Sequence, residues 1–304
     1  MRLRNIIIVC LLAVALIATS AARPPVASAR AGLLATPEEE GEARELVLAL
    51  VKRFHETGDI APLAREFFVG DFAERPRAEG DGDAPDTPTR HLEREVLRQA
   101  SPEELRSFYV AELNLICAVV IYMTSRYNER EAAGVRDDGD EVELTDELPR
   151  EVVELLKTDA ARFVLAADER DEKCSHAKDG DAVDCDGNAV TAEDCGPPVK
   201  SVTQLREVTA ALGKAVAALR AHMPPPRTVF KEEARRTKDE EVEHFHVYRP
   251  RLWVTDEEYL GCPPGTRLIS AEAQPLLALQ FRFQLIRVDG RLRVLSMAAV
   301  LDGD

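Results

Sequence analysis

At Pro224-Pro225-Pro226 the hydrophobic rhythm of this chain changes, and that change limits the fold more than any other feature. Before the prolines, apolar residues recur at helical spacing. After them the spacing is two, the signature of strands with one face covered. The two halves place helices first and an antiparallel sheet second, which defines an α+β class. The expected architecture is N-terminal helices packed on a C-terminal curved antiparallel sheet, with the helical part over 38–223 and the sheet part over 227–301.

The helical half carries its own start and stop signals. Residues 38–56 (EEEGEARELVLALVKRFHE) set Leu46, Val47, Leu50, Val51 and Phe54 on one face, with acids at the helix start, where they favour its dipole. Thr57-Gly58 ends it, and Asp59 can cap a short second helix through IAPLAREFF. Ser101-Pro102-Glu103-Glu104 is a capping box with proline at the first helical position. It opens a helix to about Glu131 whose middle is apolar nearly all round, so it should be central and buried. A third pattern starts at Pro149 and runs to about Ala167. Ser201-Val202-Thr203-Gln204 opens a fourth helix with a clean stripe of Val202, Leu205, Val208, Leu212, Val216 and Leu219.

In the second half, TVFKEEARRT (228–237) and EVEHFHVYRPRLWV (241–254) read as strands. The runs LLALQFRFQLIRV (276–288) and RLRVLSMAAVL (291–301) flank Asp289-Gly290, a strong hairpin signal. Arg282 and Gln284 alternate with Phe281, Phe283 and Leu285, which assigns them to the solvated side of that hairpin.

The N-terminus sets the expected compartment. A basic MRLRN, the apolar IIIVCLLAVALIA (6–18) and small residues at A-x-A spacing resemble a secretory signal peptide over 1–29. Cleavage after Ala22 or after Ala29 satisfies the small-residue rule, and Ala29 fits better. The apolar run is shorter than the roughly 20 residues of a spanning helix. No run after residue 30 reads as long and apolar enough to span a bilayer. The expectation is an exported chain, periplasmic or extracellular, with residues 30–304 forming a single α+β domain.

Charge and cysteine content follow from that placement. Loss of Arg2, Arg4 and Arg23 with the leader removes three positive charges and takes the net charge from −16 to −19. Such acidity opposes nucleic acid and anionic membrane surfaces as partners. Of the remaining cysteines, Cys117 sits in the apolar run NLICAVVIYM and reads as a buried free thiol. Cys174, Cys185, Cys195 and Cys262 lie in loop-like sequence and, in an oxidising space, read as two disulfides whose pairing the sequence leaves open. A zinc site is the sharper reading of the first three, but their spacings of ten and nine residues exceed those of paired zinc ligands.

Two stretches resemble the nuclear transport factor 2-like superfamily. One is ELVLALVKRFHETGDIAPLAREFF, within 45–72. The other is LALQFRFQLIRVDGRLRVLSMAAV, within 227–301. About 150 residues separate the second helix from the sheet, so the resemblance implies a large helical, disulfide-bearing insertion. It also implies a cone-shaped sheet over helices whose interior some members use for catalysis and others for binding. No catalytic residue carries over.

The polar candidates are few. His244, His246 and Tyr248 alternate along one strand face and could line a ligand pocket. An H-x-H pair can hold a metal or act as acid and base, yet no third ligand is evident and the plainer reading is ordinary strand. Asp184, Asp186 and Asn188 begin a calcium-loop pattern that fails at Ala189, where glycine is needed, and at Cys195, where glutamate is needed. The chain holds no G-x-S-x-G, Walker, G-x-G-x-x-G or H-E-x-x-H motif. The expected function is a non-enzymatic module, with no cofactor, that binds a small ligand or a protein partner. The competing readings are a pocket enzyme using acid–base chemistry on a small organic molecule, and a purely structural module.

Overall fold

The computed structural model describes residues 35–70, 92–133, 148–156, 199–236, 246–255, 262–276 and 278–301. Helices occupy the N-terminal part and an antiparallel sheet the C-terminal part, so the fold is α+β. The helices are α1 (Pro37–Thr57), α2 (Ile60–Phe67), α3 (Arg94–Gln99), α4 (Pro102–Ala132), α5 (Arg150–Leu156), α6 (Val202–Ala221) and α7 (Pro226–Arg236). The strands are β1 (His246–Val247), β2 (Arg251–Val254), β3 (Arg267–Leu276), β4 (Leu279–Val288) and β5 (Arg291–Leu301).

Local chemistry accounts for the helix ends. Thr36 caps α1 with a reciprocal box: its Oγ1 accepts the Glu39 N–H at 3.2 Å, and Glu39 accepts the Thr36 N–H at 2.9 Å. Gly58 closes α1 in the left-handed region at φ 59°. Asp59 then caps α2, its Oδ1 accepting the Ala61 N–H at 2.9 Å. The box at Ser101 and Glu104 forms as the sequence reads. At α6, Ser201 accepts the Gln204 N–H at 3.1 Å, while the Gln204 side chain accepts the N–H of Lys200 at 2.9 Å.

Of the stretch 228–237 expected as a strand, residues 228–236 are instead part of α7, and among the described residues the first strand is at His246 rather than near 227. The triple proline ends α6 and also starts the next helix, because Pro226 sits in the first turn, where its missing N–H costs nothing. Val229, Phe230 and Glu233 share the buried side of α7 at helical spacing, and KEEARR is rich in helix-forming residues.

A second expectation also needs correction. By length and composition α4 is apolar enough to cross a membrane, with 61% of its most apolar stretch buried inside the protein. Its partners explain that burial: α4 packs on α2, α6 and α7 and against β5. It is the central helix of the helical layer.

All pairings in the sheet are antiparallel, in the order β1–β3–β4–β5, with β2 also on the outer edge of β3. β1 and β2 thus form one edge interrupted around Pro250, whose ring nitrogen has no N–H for the ladder. Asp289 and Gly290, both at positive φ, make the tight turn between β4 and β5. At the opposite edge, β5 is covered. Val69 donates to the Val294 carbonyl at 2.9 Å, and the buried Tyr109 hydroxyl of α4 accepts the Met297 N–H at 3.0 Å while donating to the Met297 carbonyl. An open edge would offer those groups to another chain.

The core lies between the helices and the inner face of the sheet. Phe54 of α1 meets Phe281 edge-on at 4.9 Å between centroids and Phe230 at 5.7 Å. Ile269, Ala271, Ala273, Phe283, Leu285 and Met297 complete the buried face. Three ion pairs clip the start of α1 to the sheet: Glu39 to Arg267 at 2.8 Å, Glu40 to Arg249 at 3.0 Å and Glu42 to Arg287 at 2.5 Å.

Candidate functional site

The sequence candidates do not gather into one cluster among the described residues. His246 opens β1, in register with Gln274. Tyr248 follows, 44% exposed, with its N–H bonded to the Glu272 carbonyl at 3.0 Å and its hydroxyl 3.5 Å from Gln274 Oε1. His244 lies outside the described residues, as do Cys174, Cys185, Cys195, Asp184, Asp186 and Asn188. Cys117 is a buried free thiol, as its apolar setting implies, and burial pushes its ionisation well up. Cys262 is buried too. No disulfide joins two cysteines among the described residues, so the disulfide-bearing part of the fold expectation gains no support. No group of three His, Cys, Asp or Glu suited to a metal occurs among the described residues.

Several buried polar groups serve the architecture. Asn114 of α4 accepts the Ile60 N–H at 2.7 Å and donates to Asp59 at 2.9 Å, while Arg220 of α6 donates to the Gly58 carbonyl at 2.9 Å. These bonds satisfy the turn between α1 and α2. His55 stacks flat on Phe230, 3.9 Å between centroids and 7° from parallel, and its Nε2 lies 2.8 Å from the Pro275 carbonyl. A carbonyl only accepts, so Nε2 carries the proton. Burial lowers the His55 pKa to about 4, outweighing the opposite pull of the Pro275 carbonyl.

The polar network that faces away from the core lies on the outer side of the sheet. Strand alternation puts Ser270, Glu272 and Gln274 of β3 on that side with Gln280, Arg282 and Gln284 of β4. Gln284 Oε1 accepts both the Trp253 indole N–H at 3.2 Å and the Ser270 hydroxyl at 3.0 Å. One row further along, Glu272 and Arg282 stand opposite each other in register, and yet no ion pair joins them. Gln280 lies between. Its Nε2 donates to Glu272 Oε2 at 3.3 Å, and its Oε1 accepts from Arg282 Nε at 3.1 Å. Among the described residues nothing bonds the terminal Nη groups of Arg282 or the second carboxylate oxygen of Glu272. Tyr248 continues this row at the β1 end.

The arrangement therefore presents unspent donors, an unspent acceptor and an exposed aromatic ring across about 10 Å, two strand spacings. Sequence reasoning placed Arg282 on the solvated side and singled out Tyr248, but missed Glu272, Gln274 and Gln280. The alternation in SAEAQ was the available signal. Which residue faces Arg282 depended on the β3–β4 register.

No family model, curated protein or solved structure matches this chain.

Proposed function

We propose that this chain is an exported, non-enzymatic binding module that holds a small polar ligand on the outer face of its sheet, at Tyr248, Glu272 and Arg282. One observation carries the reading. A glutamate and an arginine opposed in mid-sheet leave their outer hydrogen-bonding groups unused rather than closing on each other. Groups held this way lose little further freedom when a ligand arrives. The inner face supports the same reading, since Phe54, Phe281 and Phe283 fill it. The nuclear transport factor 2-like resemblance rests on the α1–α2 pair and the β4–β5 hairpin, and here the ligand lies on the side of the sheet opposite the interior which that resemblance implies. Export rests on the leader-like residues 1–29.

The test is a thermal-shift screen of the exported chain with amino acids, sugars, polyols and small organic acids, run beside Arg282→Ala. At least one compound should raise the melting temperature of the parent and leave the variant unmoved. A screen in which every compound leaves the parent unmoved, or moves both proteins alike, removes the proposal.

A further inference from the structure

We infer that the ligand on this face is a neutral saccharide, bound through a pair of adjacent hydroxyls; the inference rests on the binding reading above. The row Tyr248–Glu272–Arg282 must satisfy cationic donors and an anionic acceptor together, about one strand spacing apart. A carboxylate or phosphate would suit Arg282 but meet repulsion from Glu272, within a chain of net charge −16. A cation would meet the reverse. A hydroxyl both donates and accepts, so neighbouring hydroxyls can accept from Arg282 and donate to Glu272 without the ligand bringing a charge of its own out of water.

The other features fit the same class. Tyr248 is 44% exposed at the end of the row, a ring on which the C–H face of a pyranose can lie. Gln280 braces the row, its amide holding Glu272 and Arg282 apart so that their outer groups face the ligand. A zwitterionic amino acid would match both charges, but in this half-buried row it would bring two full charges of its own out of water, a cost that the ion pairs formed need not repay. It would also leave the Tyr248 ring unused.

The experiment is ligand-observed saturation-transfer NMR with cellotetraose and, separately, glycine as probes. It uses the parent, Tyr248→Ala, Arg282→Ala, Glu272→Gln and the control Arg291→Ala, an exposed residue outside the row. Circular dichroism checks that each variant folds. Cellotetraose should bind the parent and Arg291→Ala equally, bind Tyr248→Ala and Arg282→Ala about tenfold more weakly or worse, and change little between low and high salt. Binding of glycine alone, lost in Arg282→Ala, would refute the saccharide class while leaving the face as a ligand site. Absence of cellotetraose binding, or binding indifferent to Tyr248→Ala and Arg282→Ala, would refute it too.

Discussion

Between pH 7 and pH 5, His55 should make this fold progressively less stable. The ring is neutral in the folded state, stacked on Phe230 and bonded to the Pro275 carbonyl, with its pKa lowered to about 4 from 6.5. In the unfolded chain it protonates near 6.5. As pH falls below 6.5 the unfolded state therefore takes up a proton that the folded state refuses. Stability is whole above pH 6.5 and drains away as pH falls towards 4. Integrating that difference gives a loss of about 2 kcal/mol by pH 5 and about 3 kcal/mol by pH 4. Carboxylates held down by their partners, such as Glu42 by Arg287 and Glu39 by the Thr36 N–H and Arg267, lose their contribution only as pH falls below the ordinary carboxylate value of 4.5, so the upper part of the window belongs to histidine. The assay is urea unfolding of the parent and of His55→Gln at pH 7, 6 and 5. His55→Gln should be less stable at pH 7, through lost stacking, and should show a slope against pH shallower by about 1 kcal/mol per pH unit. Parallel slopes would mean that His55 is not the buried neutral group, and the reasoning would fall.

Two further substitutions test the architecture. Gly58→Ala should destabilise by more than the usual cost of a left-handed alanine, because its Cβ would lie 2.6 Å from Pro226 Cγ at φ 59°, so α1 and α7 must separate; chemical denaturation measures the loss. Tyr109→Phe should cost about 1–3 kcal/mol, since it strands the Met297 N–H and carbonyl at the covered edge of β5, and hydrogen exchange at Met297 should speed up; an unchanged exchange rate would show that the hydroxyl does not guard that edge.

The helices legible in the sequence were those with their own punctuation. Thr57-Gly58, Asp59, Ser101 with Glu104, and Ser201 with Gln204 act within one turn of the chain, so their effect survives folding. α7 lacked a legible period: Val229 and Phe230 are adjacent apolar residues followed by charges, and the proline run looked like a stop when Pro226 was a start. The β4–β5 hairpin was legible from Asp289-Gly290, a local turn with one dominant geometry. The outer-face site was legible only in part. Alternation assigned Arg282 to its side, but its partner depends on the β3–β4 register, which shifts between Ala273 and Leu276. A shift of this kind comes from packing, not from any nearby residue type. His55 was hidden for a similar reason, since its neutral state comes from Phe230 and Pro275, far along the chain.

α1 is made well before the strands it rests on. His55 waits for Pro275, 220 residues on, and Glu42 for the Leu292 N–H, 250 residues on. At ordinary rates of synthesis that delay is on the order of tens of seconds. Throughout it, Val47, Leu50 and Phe54 have no strand to rest on, and the acids that later clip to Arg249, Arg267 and Arg287 keep the helix wet. The fold is thus a circuit closed by its final hairpin. A chain ending before Leu279 would keep α7 and β3 beside α1 but lose Phe281 from Phe54, and Arg287 and the Leu292 N–H from Glu42, so the first helix would dock on an unfinished sheet.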